Sequence, residues 1–255
     1  MPAALAAGGN HAAWSASGEL FVWKGEEPVA QPGAGRVEWL SPTPEAGVWL
    51  VLRRQDGRQM LSAGATPRAI DFTPKQAAFA ADGGVFLLDS AGKLHAGEHL
   101  DGPYEPLEVA GEPAPISAIA VIPGTSRLLY GTARGRFGWI DPTNHKNMPA
   151  GSVEGAVVSI AATREDRAVV VADAGGGVAL MDLETGLRTP LFGIPGSPAS
   201  CALDSASGFV GCTTTSGEMW RLALDTTPLG FSAVPEEPLD PKTRPFDSWR
   251  GLGSD

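Results

Sequence analysis

The strongest constraint on this chain is a repeat. Short apolar runs broken by a glycine turn recur as HAAWSASGELFVW, GVWLVLRRQDGRQMLSAG, GVFLLDSAGKLHAG, RLLYGTARGRFGWID, RAVVVADAGGGVALMD and GFVGCTTTSGEMWRLALD. Their turn glycines are Gly18, Gly57, Gly92, Gly135, Gly176 and Gly217, separated by 39, 35, 43, 41 and 41 residues. A second set of turn residues, Gly25, Gly64, Asp101, Asp141, Asp182 and Asp225, follows at intervals of 39, 37, 40, 41 and 43. Two markers that keep one period define units of about 1–33, 34–71, 72–110, 111–152, 153–194 and 195–235.

Each unit reads as four strands. Runs rich in β-branched and aromatic residues alternate with Gly, Asp, Ser and Pro turns, and no stretch sustains the periodicity of an amphipathic helix. In PISAIAVIPGTSRLLYGTARGRFGWIDPTNHKNMPAG the strands fall at about 116–121, 127–132, 136–140 and 146–149. Runs such as AVVVADA and GVWLVL are apolar on both sides, which demands cover on both faces of the sheet. A radial stack of small sheets supplies that cover. The small first-strand residues Ala118, Ala120, Ala161, Ala162 and Ala202 suit crowded positions where units converge. The predicted fold class is therefore all-β, a β-propeller of four-stranded antiparallel blades, with six blades and, as the alternative, seven. GGVFLLDSAGKL (83–94) also aligns with GGVALMDLETGL (176–187), a register that shifts the third unit by half a hairpin but spoils both spacings.

LLYGTARGRFGWID and VVVADAGGGVALMDLETG each carry an apolar strand, a Gly hairpin, and a third strand ending in an aliphatic residue and Asp. In this the chain resembles WD-repeat and similar bacterial β-propellers, over roughly residues 8–235. The resemblance implies one propeller domain over 1–240, a C-terminal tail over 241–255, and service as a docking module in a larger assembly. Stand-alone bacterial propellers of this kind occur with ATPases or von Willebrand-type domain proteins, which makes such a protein an expected partner. The family's Gly-His and Trp-Asp dipeptides are essentially missing: Gly-Asn-His stands at 9–11, and third strands end in Trp23-Lys24, Ile140-Asp141 and Met181-Asp182. The usual His-to-Asp network of WD blades thus lacks its residues.

Catalytic and metal chemistry find little purchase. His95 and His99 are four apart on one predicted strand face, hence about 13 Å apart, too far to share an ion. His11 and His145 fall in loops. TTTSGEMW (213–220) resembles a sialidase-type Asp-box with Thr215 in place of the aspartate, and DLETG (182–186) reads as a strand-end turn. No nucleophile elbow or phosphate loop is present. The expectation is a protein without cofactor, metal site or catalysis; the alternative is a propeller enzyme of hydrolase or lactonase type, or a small-ligand sensor, using the central channel. A net charge of -10 disfavours nucleic acid. No membrane span or secretory signal is recognisable, which points to the cytoplasm. Cys201 and Cys212 face each other on the first two strands of the sixth unit, close enough for a disulfide; the cytoplasmic reading makes them two buried thiols.

The candidate binding residues come from charge and from the tail. Arg36, Arg54, Arg58, Arg68, Arg134 and Arg136 gather on the face that carries the second-to-third-strand turns, whereas Asp101, Asp141, Asp182 and other acids gather on the opposite one. Arginine is enriched at interfaces, so this sector is the expected site for an acidic partner segment. In the tail, Phe246 and Trp249 each represent about 1.5–3 kcal/mol if left in water, so they are expected to dock on the propeller's side or on a partner.

Overall fold

The computed structural model describes residues 5–8, 11–16, 18–24, 28–31, 35–45, 48–63, 66–162, 168–182, 188–194, 196–204, 209–225 and 232–235. They form six four-stranded antiparallel sheets and no helix. The first sheet contains β1 (Leu5–Gly8), β2 (His11–Ala16), β3 (Glu19–Lys24) and β4 (Pro28–Gln31). β5 (Arg36–Pro42), β6 (Trp49–Gln55), β7 (Arg58–Ser62) and β8 (Arg68–Ile70) form the second; β9 (Pro74–Phe79), β10 (Val85–Asp89), β11 (Leu94–Gly97) and β12 (Glu105–Leu107) form the third. The fourth comprises β13 (Ile116–Val121), β14 (Leu128–Thr132), β15 (Arg136–Asp141) and β16 (Lys146–Ser152). β17 (Val157–Ala162), β18 (Ala168–Asp173), β19 (Gly177–Asp182) and β20 (Arg188–Gly193) make the fifth, and β21 (Pro198–Asp204), β22 (Phe209–Thr214), β23 (Met219–Asp225) and β24 (Ser232–Pro235) the sixth. Every sheet uses consecutive strands in order, with no crossover. The third sheet follows the phase set by both glycine and aspartate markers: VFLLD is its second strand, and Gly92 lies in its second-to-third turn.

The chain divides into two compact units, the first holding β1 to β11 with most of β12, the second beginning in earnest at Leu107. In the first unit, β6 buries both faces. Trp49 and Val51 pack with Leu20, Val22, Val37 and Leu40, while Leu50 and Leu52 pack with Leu61, Val85 and Leu87. The period of two sorts one apolar run into two separate cores. In the second unit, β18 does the same: Val169 and Val171 face Ala118, Leu129, Phe137 and Val157, whereas Val170 and Ala172 face Leu180, Val210 and the cysteines.

Within each unit the first strands of successive sheets lie side by side, β5 between β1 and β9, and β17 between β13 and β21. Ala118 is fully buried there and Ala120, Ala161 and Ala162 are half-buried; Ala202, expected to be crowded, is exposed. Hydroxyls tie these strands across sheets. Ser117 Oγ donates to the Val157 carbonyl at 2.6 Å, and Ser159 Oγ accepts from the Cys201 N–H at 2.8 Å.

Two expectations are corrected. Cys201 and Cys212 are not thiols but a disulfide; they are register partners on β21 and β22 with Cα atoms 4.1 Å apart, so their side chains have little room to avoid each other. His95 and His99 do not share a strand, because β11 ends at Gly97; His95 is buried and His99 exposed in the turn beyond.

Candidate partner-binding groove

The second-to-third-strand turns decide where polar side chains become available. In the third to sixth sheets the second strand ends in Asp89, Thr132, Asp173 or Thr214, each buried, followed by a three-residue loop whose last residue is a glycine with φ between 78° and 95°. The end residue's carbonyl accepts from that glycine's N–H at 3.0–3.1 Å, the geometry of a type I turn closed by a left-handed glycine. Its side-chain oxygen accepts from the N–H four residues on, at 2.8 Å for Asp89 and 3.1 Å for the other three. TTTSGEMW is one of these capped hairpins, with Ser216 Oγ 2.8 Å from Thr214 Oγ1.

The β6–β7 turn departs from this rule. Gln55 and Arg58 are register partners, and the two residues between them, Asp56 and Gly57, have φ of 50° and 79°. This is the Asp-Gly hairpin that matches strand twist without help from a side chain. The cap position therefore holds Arg54, which is exposed and reaches Glu38 instead, with Nε 2.6 Å from Oε1 and Nη2 3.1 Å from Oε2. Glu38 is available because the ladder slips by one residue between Val37 and Trp39, leaving it as the extra residue of a bulge. The hydrogen bond from Arg54 holds the Glu38 carboxyl below the usual range, with Arg36 adding a weaker pull.

Around this hairpin lies an open groove of about 850 Å³. Arg54, Arg58 and Arg68 supply its positive charge, Asp71 a negative one, and Ile70, Phe72, Pro103 and Tyr104 its apolar surface. Arg58 and Arg68 are exposed and have no ion pair among the described residues. Phe72 is fixed from two sides: its ring stacks on His95 with centroids 3.7 Å apart and planes at 9°, and meets Tyr104 edge-on at 6.5 Å. Tyr104 donates to the Leu100 carbonyl. Burial, with the nearby Asp101 charge, pushes its phenol up to about 12, so it stays a neutral donor. Gln59 Nε2 donates to Thr73 Oγ1 at 2.7 Å and ties β7 to the segment after β8.

Beneath the groove, His95 Nε2 lies 3.1 Å from Asp89 Oδ2. Burial pushes the Asp89 carboxyl up, but hydrogen bonds from the Lys93 N–H, His95 and the Ala91 N–H outweigh it and hold the group below its usual range. A His-to-Asp contact, for which the missing dipeptides leave no residues, thus occurs within one hairpin, with the histidine supplied by the third strand.

The other residues singled out by sequence are placed as follows. Arg36 lies exposed on β5 as the register partner of Arg54. Arg134 and Arg136 belong to the second unit, at the β14–β15 turn; both are exposed, and Arg136 Nη1 is 3.8 Å from Glu112 Oε2. Phe246 and Trp249 lie outside the described residues. Sequence reasoning missed Phe72, Tyr104 and the Asp/Thr caps. The caps had a signal: Asp89, Thr132, Asp173 and Thr214 all stand three residues before a turn glycine, where the second unit has Arg54.

No protein-family model matches the chain, and no curated protein matches it. Among solved structures, a WD40 propeller chain in the crystal structure of a mitotic checkpoint complex superposes with a TM-score of 0.72 at 10% sequence identity, covering 92% of this chain and 76% of that one. The fold is accordingly that of a WD-repeat-like β-propeller. Such a fold hosts many functions, so the likeness bears on architecture alone.

Proposed function

We propose that this protein is a non-catalytic interaction scaffold, a docking module of a larger bacterial assembly, that receives an acidic segment of a partner protein on its arginine sector. The observation that carries the reading is the convergence of Arg54, Arg58 and Arg68 on one open groove, with Arg58 and Arg68 lacking a carboxylate among the described residues. In a protein of net charge -10 such a patch is a local inversion of the field, which orients and speeds the approach of an acidic segment. The guanidinium fork takes a carboxylate through two parallel bonds, as Arg54 does with Glu38. Arg134 and Arg136, exposed at the β14–β15 turn of the second unit, carry the same chemistry within that unit. An ATPase or von Willebrand-type partner remains an inference from the resemblance.

Capture from lysate of the native host tests the reading. Wild-type protein is expected to retain a partner at low salt and lose it as salt rises; a protein carrying both Arg58→Glu and Arg68→Glu loses the partner and the salt dependence. Equal capture by both across the salt series rejects the sector. A cytoplasmic location belongs to the same reading and is tested by fractionation of the native host: recovery with the cytoplasmic fraction supports it, and recovery outside the cytoplasm rejects it.

A further inference from the structure

The groove has a backbone component as well as a charged one. Its wall is β8, the outer strand of the second sheet, paired to β7 through Leu61↔Arg68, Met60↔Ala69 and Gln59↔Ile70. The other edge of β8 carries no strand among the described residues, and Arg68 and Ala69 are exposed. An unpaired edge that runs along a groove is a template for one more strand.

The side chains say what that strand must carry. Residues two apart on a strand share a face, so Arg68 and Ile70 stand on one side of β8. Ile70 continues into the apolar lining made by Phe72, Pro103 and Tyr104. The cations are unequal. Arg54 is neutralised by Glu38, whereas Arg58 and Arg68 have no ion pair among the described residues. Of these two, Arg68 lies on the edge strand itself, opposite the apolar Leu61. Asp71 in the lining and Asp101 beside Tyr104 temper the positive field, which suits a single carboxylate better than a phosphate dianion.

We infer that the groove binds an extended peptide as an added strand on β8, with an Asp or Glu carboxylate on Arg68 and, two residues away, a large apolar side chain against Ile70, Phe72 and Tyr104. The inference rests on the proposed scaffold role and adds to it the mode of binding and the composition of the segment. Cross-strand neighbours on one face are the unit of pairing, which is why the acid and the apolar residue must be two apart.

The test is selection of random linear peptides displayed against the full chain, followed by affinity measurement on one synthetic enriched peptide. Enrichment of an acid and a large apolar residue at a spacing of two is expected. The synthetic peptide is expected to bind Arg68→Glu at least about tenfold more weakly, a difference of about 1.4 kcal/mol. N-methylation of alternate peptide amides is expected to abolish binding in one of the two registers, since only edge pairing uses those N–H groups. Arg68 is exposed, so unchanged melting of the variant confirms an intact fold. Binding that survives Arg68→Glu, or indifference to N-methylation at every position, overturns the inference. Acidic peptides that are lost on Arg134→Glu with Arg136→Glu but not on Arg68→Glu overturn this groove while sparing the scaffold reading. Failure to enrich acids at all removes both, and tighter binding of a phosphoserine version overturns the single-carboxylate assignment.

Discussion

The β18–β19 and β6–β7 hairpins occupy the same place in two sheets and solve the same problem differently. In the first, Asp173 is buried and its Oδ1 accepts from the N–H groups of Gly175 and Gly177, at 2.8 and 3.1 Å. The side chain closes its own turn and faces inward. In the second, the backbone of Asp56 and Gly57 makes the turn by itself, and the equivalent position carries Arg54, turned outward. The proposed docking site thus lies at a hairpin whose turn needs no side-chain cap, which leaves the cap position free for an outward-facing arginine.

This contrast can be broken most sharply at the glycines. A Cβ on Gly135 would lie 2.4 Å from the Val153 carbonyl oxygen and 2.7 Å from that of Gly155, whereas a Cβ on Gly57 meets nothing within 4 Å. Both have positive φ, 78° and 79°. Gly135→Ala is therefore expected to lower stability by about 3 kcal/mol, from collision and left-handed strain together. Gly57→Ala should cost about 1 kcal/mol from strain alone. Equal midpoint shifts in urea would show the two turns to be alike.

Removing the caps comes next in size. Asp173→Ala loses two charge-assisted bonds in a buried site and is expected to cost about 2 kcal/mol, against a smaller loss for Arg54→Ala, whose exposed ion pair is screened by solvent. Thermal melts of the two variants decide the order.

The third comparison uses pH. Asp89 is held below its ordinary pKa, so its stabilising contribution is present above the unfolded carboxylate value of about 4 and is lost as pH falls through the folded one. Melting temperature should drop between about pH 5 and pH 2, and Asp89→Asn should flatten that part of the profile. An unchanged acid limb would mean the His95–Asp89 hairpin contributes nothing to it.

Smallest of all is the expected effect of Arg58→Glu on stability, within about 0.5 kcal/mol, because an exposed residue with no ion pair among the described residues supports no fold. A larger loss would place Arg58 among the structural residues and weaken its claim to a ligand.

Much of the architecture was legible because it rests on local chemistry. Turn glycines announce hairpins, and the period of two in GVWLVL and AVVVADA announces sheets covered on both faces. The difference in loop length between Asp56-Gly57 and the capped turns was equally visible, though the even spacing of glycines concealed it. The groove was only half legible. Arg54, Arg58 and Arg68 stood out as charges, but the meeting of Glu38 with Arg54 depends on a one-residue bulge at 37–39, which no propensity marks. Phe72 and Tyr104 meet through the path of residues 98–104, a loop whose course follows from tertiary packing. The disulfide was legible as a register pair and misread through an inference about compartment, not geometry.

Strand order within the sheets has a kinetic meaning. Every ladder joins neighbours in the chain, so the separations between paired residues stay short although the protein is entirely β. All-β folds are usually slow because distant segments must find each other before any contact rewards them. Here each hairpin can close on its own, and a sheet can finish pairing while the next is still being synthesised. Pairing between chain neighbours lowers the loop-closure cost within each sheet and leaves the docking of sheets on one another as the longer-range part of folding.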